Sequence, residues 1–136
     1  MASPDLAAGK PRPRPLSPHL SIYRPTMTMA MSIAHRISGV ALYFGVLVLA
    51  WFLIAASADA STFAVFSDFI SSVIGQIVLF LVSWALLHHL VGGLRHIVMD
   101  AGYALDAPLR DQAAWATLIG GFALTVLIWI VGYAIW

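Results

Sequence analysis

The sequence has no cysteine and no glutamate, and it carries few charges of either sign. Without cysteine the chain cannot itself hold an iron–sulfur cluster, a thiolate-ligated haem, a covalently attached c-type haem or a disulfide. Its net charge is +1, so charge gives no reason to expect a nucleic-acid partner. Charged residues make up 10% of the chain and hydrophobic residues 61%, whereas a soluble domain has about 25% charged residues. These proportions indicate a protein whose solvent is lipid.

Three long stretches contain no charged residue, namely 37–58, 69–94 and 112–136. A helix of about 20 apolar residues crosses a hydrocarbon core of about 30 Å, and in lipid the backbone must satisfy its own hydrogen bonds. The sequence therefore predicts an all-α membrane protein. It has a polar, proline-rich N-terminal segment and one transmembrane domain, with three helices (segment 1–26; domain 27–136; helices about 28–57, 68–99 and 111–135).

The basic residues lie on one side of the predicted membrane. Lys10, Arg12, Arg14 and Arg24 precede the first helix, and the connection at 57–68 has no basic residue. Arg36 lies near the start of the first helix, Arg95 near the end of the second, and Arg110 in the second connection. Cytoplasmic segments carry the excess of lysine and arginine. We therefore expect the N-terminus in the cytoplasm, with residues 57–68 and the C-terminus on the outer side.

Two polar clusters, at residues 32–39 and 88–100, interrupt the apolar pattern. Ionisable groups at membrane depth are costly and by default mark a function. Helical spacing places the polar and small residues of each cluster on one stripe: Ser32, His35, Arg36 and Gly39 on the first helix, and His89, Gly93, His96 and Asp100 on the second. Both stripes lie on the cytoplasmic half of the membrane, which suggests one site shared between the two helices.

His89 lies deepest in the second cluster, eleven residues or about 16 Å along a helix before Asp100. Imidazole is a good axial ligand for haem iron, and Gly93 removes bulk where a flat macrocycle could lie. A buried histidine bonded to a neighbouring helix and a proton relay are the alternatives. His88 points about 100° away from its neighbour, so it cannot ligate the same iron, and we expect it to contact another subunit. A six-coordinate haem would need its second histidine from another chain, which indicates a hetero-oligomer.

The charged residues of the clusters allow two interpretations each. Arg36 and His35 either reach the lipid headgroups or clamp haem propionates and donate to a quinone carbonyl. Arg95 with His96 allows the same choice. Asp100 is either a boundary charge or a point of proton entry.

Three motifs in this order resemble the cytochrome b556 subunit family of succinate dehydrogenases. Residues 14–23 read R-P-L-S-P-H-L-S-I-Y, and residues 32–39 read S-I-A-H-R-I-S-G. Residues 89–100 read H-L-V-G-G-L-R-H-I-V-M-D, in the family's pattern H-x-x-x-G-x-R-H-x-x-x-D. The resemblance covers residues 14–103, extends to the third helix by hydropathy, and shows no departure at a motif residue.

The resemblance implies one half of a heterodimeric helix-bundle anchor. A second small anchor subunit supplies the other axial histidine of a shared haem b, and the pair holds an iron–sulfur subunit and an FAD flavoprotein subunit. Electrons then pass from succinate, oxidised in the flavoprotein as a step of the tricarboxylic acid cycle, to ubiquinone. Carried over residue by residue, His89 is the ligand of the haem iron. His35 and Arg36 lie near the propionates, and Ser32 and Arg36 border the quinone.

The first motif resembles the mitochondrial type, but the short N-terminus leaves little room for a transit peptide. We therefore expect the bacterial inner membrane rather than the mitochondrial one. Two alternatives stay open. One is the anchor of a fumarate reductase, with the same fold and the opposite direction of electron flow. The other is a small haem-free transporter subunit with the histidines as a proton path, which a b-type haem spectrum would exclude.

Overall fold

The computed structural model describes residues 23–135, which form four helices: α1 Met27–Ser57, α2 Ala60–Ser71, α3 Val73–Asp100 and α4 Leu109–Ile135. The prediction of an all-helical protein is confirmed. Three of the four, α1, α3 and α4, are long and apolar enough to cross a membrane. At 1.5 Å per residue they are about 40–46 Å long, so their ends extend beyond a hydrocarbon core of about 30 Å. Residues 14–22 of the first motif lie outside the described residues.

The connection between the first two long helices is itself mostly helical, although the sequence predicts a loop at 57–68 and a single helix from about residue 68. Asp59 caps the start of α2, because its carboxylate accepts hydrogen bonds from the backbone N–H of Thr62 and from the Ser61 hydroxyl. The backbone is extended at Ser72, which separates α2 from α3. A Cβ at Gly75 would lie 2.0 Å from the carbonyl oxygen of Phe69, so this close turn requires glycine.

The long helices alternate in direction, and α3 packs against both α1 and α4. Small residues make these contacts possible. Gly45 of α1 faces Val82, and a Cβ at Gly121 of α4 would lie 2.9 Å from the Cα of His88. In lipid, helices associate through close packing of small residues rather than through hydrophobic burial. The helix order therefore depends on these small contact positions, while large apolar side chains cover the outer surface.

The two ends of the bundle differ in charge. The start of α1, the end of α3 and the start of α4 lie together, and within the described part of the chain every arginine is at this end, which we call the basic end. The opposite end carries α2. There the Tyr133 hydroxyl of α4 donates to Oε1 of Gln76 at 2.7 Å, while Nε2 of Gln76 donates to the carbonyl of Ile70 at 2.8 Å. This polar bridge joins α2, α3 and α4.

Candidate functional site

The two polar stripes meet where α1 packs against α3. The rings of His35 and His89 stack with their centroids 3.9 Å apart and their planes at 17°. His96 approaches the His35 ring edge-on at 5.2 Å. We call His35, Ser38, His89 and His96 the histidine cluster. The structure thus brings together residues of both motifs, as the shared-site hypothesis expects.

Hydrogen bonds determine which nitrogen of His89 carries the proton. Its Nδ1 lies 3.1 Å from the carbonyl oxygen of His35 and 3.0 Å from Oγ of Ser38. A carbonyl oxygen can only accept, so the contact with the His35 carbonyl assigns the proton to Nδ1. In the neutral imidazole, Nε2 then has a free lone pair. None of the hydrogen bonds found within residues 23–135 uses Nε2 of His89. This is the arrangement of a metal-ligating histidine, whose other nitrogen donates to a carbonyl or hydroxyl.

His35 is held across the same contact. Its Nε2 lies 3.2 Å from the carbonyl oxygen of His89 and donates to it. The ring also fills the space above Gly92, where a Cβ would lie 2.5 Å from Cδ2 of His35. Gly92 is therefore needed for the position of the His35 ring.

Open space and apolar surface adjoin His89. A Cβ at Gly93 would meet nothing within 4 Å. Toward the centre of the bundle, an apolar groove between α1, α2 and α3 has a volume of about 630 Å³, within the range of about 300–1,000 Å³ that is usual for ligand pockets. It is lined entirely by apolar surface, including Leu86 and Val82, which lie one and two turns from His89 on α3. Open space at Gly93 and the apolar groove thus lie on either side of His89 along α3, each about one turn away.

The predicted quinone residues lie on the first turns of α1. Ser32 is half-buried and Arg36 is exposed, and their spacing of four places them on one face. In the described part of the chain neither side chain forms a hydrogen bond or an ion pair. Asp100, the predicted proton entry, is exposed at the last residue of α3. All three lie at the basic end, but the structure shows no direct contact among them.

His88 faces α4 rather than α1. It is only 5% exposed, because it packs against Gly121 of α4 and lies 6.5 Å from the Trp84 ring. The expectation that it contacts another subunit is therefore wrong: its surroundings are within this chain. The Nδ1 and Nε2 atoms of His88, and Nε and Nη1 of Arg95, are buried with no hydrogen-bond partner among residues 23–135. Part of the Arg95 guanidinium thus faces the interior, in contrast to a side chain that reaches fully to the headgroups.

Sequence reasoning missed two residues of the site. Ser38 belongs to the second motif, yet nothing in the sequence assigns it a partner, and Gly92 belongs to the third motif without an assigned role. The available signal was the spacing of Ser38, three residues after His35 on the same stripe.

Comparison with known proteins identifies the family. A family model described as succinate dehydrogenase/fumarate reductase transmembrane subunit matches residues 10–128. The chain is 41% identical over 118 residues to the succinate dehydrogenase cytochrome b556 subunit of Paracoccus denitrificans, covering 87% of this chain and 91% of that one. It is 38% identical over 117 residues to the corresponding subunit of Rickettsia conorii (86% and 91%). It is 36% identical over 116 residues to the mitochondrial cytochrome b560 subunit of Sus scrofa (84% and 66%). The chain belongs to the family of succinate dehydrogenase/fumarate reductase transmembrane subunits.

Proposed function

We propose that this chain is one of two small membrane-anchor subunits of a succinate dehydrogenase and that Nε2 of His89 is an axial ligand of haem b. One observation carries the proposal: the His35 carbonyl fixes the proton on Nδ1 of His89, which leaves the Nε2 lone pair free. His88 cannot serve the same iron because it is buried against α4. In this proposal a histidine of the partner anchor subunit would supply the other ligand of the haem iron, as the family resemblance implies.

The residues around His89 fit a haem. The neutral imidazole is a ligand that haem iron accepts, the position of Gly93 is open, and the apolar groove begins at Leu86, about one turn from His89 on α3. His35 and Arg36 lie toward the basic end, where the positive charge of Arg36 can balance the propionates and the His35 ring lies beside them. When bound, the haem accepts and releases single electrons. The protein's part is to hold the ring of His89, exclude water and neutralise the acidic edge.

Ser32 and Arg36 border the ubiquinone in this proposal. Reduction of a quinone adds two electrons and two protons, so its site needs hydrogen-bond donors and access to cytoplasmic water. Arg36 stays charged and donates to a carbonyl oxygen on which negative charge develops, while the Ser32 hydroxyl donates a second hydrogen bond. Asp100, exposed at the same end, is in a position to admit protons from the cytoplasm.

The distribution of charge supports the orientation. All four arginines of the described residues lie at the basic end, and cytoplasmic segments carry the excess of basic residues, so the basic end faces the cytoplasm. The iron–sulfur subunit docks there and carries electrons from the FAD flavoprotein subunit. α2 and the C-terminus face the periplasm of a bacterial inner membrane, with membrane lipid around the outer surface. The family includes fumarate reductase subunits, but the cited relatives are named succinate dehydrogenase subunits, which favours succinate oxidation.

The test compares two neighbouring histidines given the same substitution. In the purified complex, His89→Leu should abolish the low-spin b-type spectrum and lower the haem-to-flavin ratio, because one axial ligand is lost. His88→Leu should keep both, since Leu has similar bulk and the nitrogens it removes have no partner among residues 23–135. If His88→Leu lost the spectrum and His89→Leu kept it, the ligand would be His88 and the proposal would be wrong. Retention in both would remove this chain from the haem site.

A further inference from the structure

We infer that Ser38 is a positioning residue for His89: its hydroxyl holds the imidazole ring so that Nε2 faces the haem iron. This inference rests on the proposed haem ligation by His89. It concerns a residue of the second motif that contacts neither the quinone nor the iron in the proposed function.

The Ser38 hydroxyl has two partners and both belong to the site. Ser38 is 6% exposed, so its hydroxyl must find hydrogen bonds within the protein. It donates its single proton to the His35 carbonyl at 2.8 Å. At 3.0 Å from Nδ1 of His89, the same oxygen is therefore the acceptor. The Nδ1–H thus points at two oxygens of α1, and each oxygen is fixed by helix geometry.

Two acceptors on one helix determine both the tilt and the rotation of the His89 ring. Gly39 follows Ser38, and a Cβ there would lie 3.2 Å from Cε1 of His89, so the ring also rests closely on the backbone of α1. A hydrogen bond from the second ring nitrogen increases the basicity of a ligating histidine. A more basic ligand stabilises the ferric iron over the ferrous one, so Ser38 should lower the haem potential.

A comparison with Ser83 shows that the hydroxyl of Ser38 does more than bond to a carbonyl of its own helix. The Ser83 hydroxyl donates to the carbonyl of Leu79 at 2.7 Å, just as Ser38 donates to an earlier carbonyl of its own helix. Unlike Ser38, Ser83 has no ring nitrogen as a second partner among the described hydrogen bonds. Ser83→Ala is therefore a matched control that removes the same kind of helix contact away from His89.

The experiment uses the intact purified complex with Ser38→Ala, Ser38→Cys and Ser83→Ala. Loss of an outer hydrogen bond weakens metal binding by about 10- to 100-fold. Because the His35 carbonyl remains as an acceptor, we expect the lower end, about tenfold faster loss of haem from Ser38→Ala. The ferric-to-ferrous ratio at fixed potential should fall about threefold, which is about 28 mV upward at 59 mV per tenfold for one electron. Ser38→Cys should resemble Ser38→Ala, since a thiol fills the space but is a weak acceptor.

The readouts are haem retention, a redox titration and the low-spin electron paramagnetic resonance signal. Ser83→Ala should match the wild type in all three. The role of the hydrogen bond would be overturned if Ser38→Ala had the haem potential and haem retention of the wild type. It would also be overturned if Ser38→Cys restored both. If His89→Leu keeps its haem, the proposed function fails and this inference with it. If His89→Leu loses haem while Ser38→Ala behaves as wild type, only the inference fails.

Discussion

The open position at Gly93 gives a sharp steric test of the haem site. A Cβ added there would meet nothing within 4 Å of the chain itself, so the side chain of Gly93→Leu begins in open space. Replacing glycine in a helix also removes a helix-propensity cost of about 1 kcal/mol. The substitution should therefore leave the chain at least as stable. In the haem-bound complex, by contrast, the added side chain enters the space one turn from His89.

The expected magnitude follows from overpacking. Extra side-chain atoms in a filled space cost about 1–3 kcal/mol, which weakens haem retention by about 5- to 150-fold. The assay is the haem-to-flavin ratio and the rate of haem loss in the purified complex. The control is Gly132→Leu, since a Cβ at Gly132 also meets nothing within 4 Å and this position lies at the opposite end of the bundle. Wild-type haem content in Gly93→Leu, or equal loss in both variants, would refute the placement.

The remaining predictions concern the quinone residues, the second glycine and the cap of α2. Ser32→Ala and Arg36→Leu should slow succinate-to-quinone electron transfer while succinate-to-dye transfer, which uses the soluble subunits, survives; equal loss of both rates would mean failed assembly. Gly92→Ala should lower the thermal midpoint of the complex, because a Cβ 2.5 Å from His35 displaces the ring at a cost of about 1–3 kcal/mol; an unchanged midpoint would contradict the packing. Hydrogen bonds from the Ser61 hydroxyl, then from Thr62, lower the pKa of Asp59 to about 2. Its stabilisation is thus present above its ordinary value of 3.8 and is lost as pH falls toward about 2. The midpoint difference between wild type and Asp59→Ala should be constant from about pH 5 to 8 and shrink in acid; a difference that grows below pH 4 would contradict the sign.

Much of the fold follows from the sequence because charge is excluded from lipid. The three charge-free stretches correspond to α1, α3 and α4. α2 could not be found in this way, since its apolar residues are set among serines, a threonine and an aspartate. Its packing depends on contacts such as that between Phe66 and Trp51, whose rings lie 5.1 Å apart. No proline marks the break at Ser72 in the sequence. The close approach of Gly75 to the carbonyl oxygen of Phe69 depends on the folded structure and has no sequence signal.

The sequence predicts which site residues share a face of each helix, but not how the two helices fit together. Helical spacing places His89 and His35 on polar stripes of α3 and α1, and the stripes do meet. The spacing within one helix does not show which residue of α1 lies opposite which residue of α3. The bond from Nδ1 of His89 to the His35 carbonyl and the seat of that ring on Gly92 depend on how deeply the helices pack. The burial of His88 also depends on how closely α3 packs against α4, so the role predicted for His89 does not reveal it.

The most direct test of the central claim is a structure of the intact complex with its haem, at a resolution that shows the axial ligands. The account predicts a bond between the haem iron and Nε2 of His89, with Nδ1 still donating to the His35 carbonyl and Oγ of Ser38. It also predicts that the second axial histidine belongs to the other anchor subunit. Iron bound by His88, iron bound through Nδ1 of His89, or two axial ligands from other chains would contradict it.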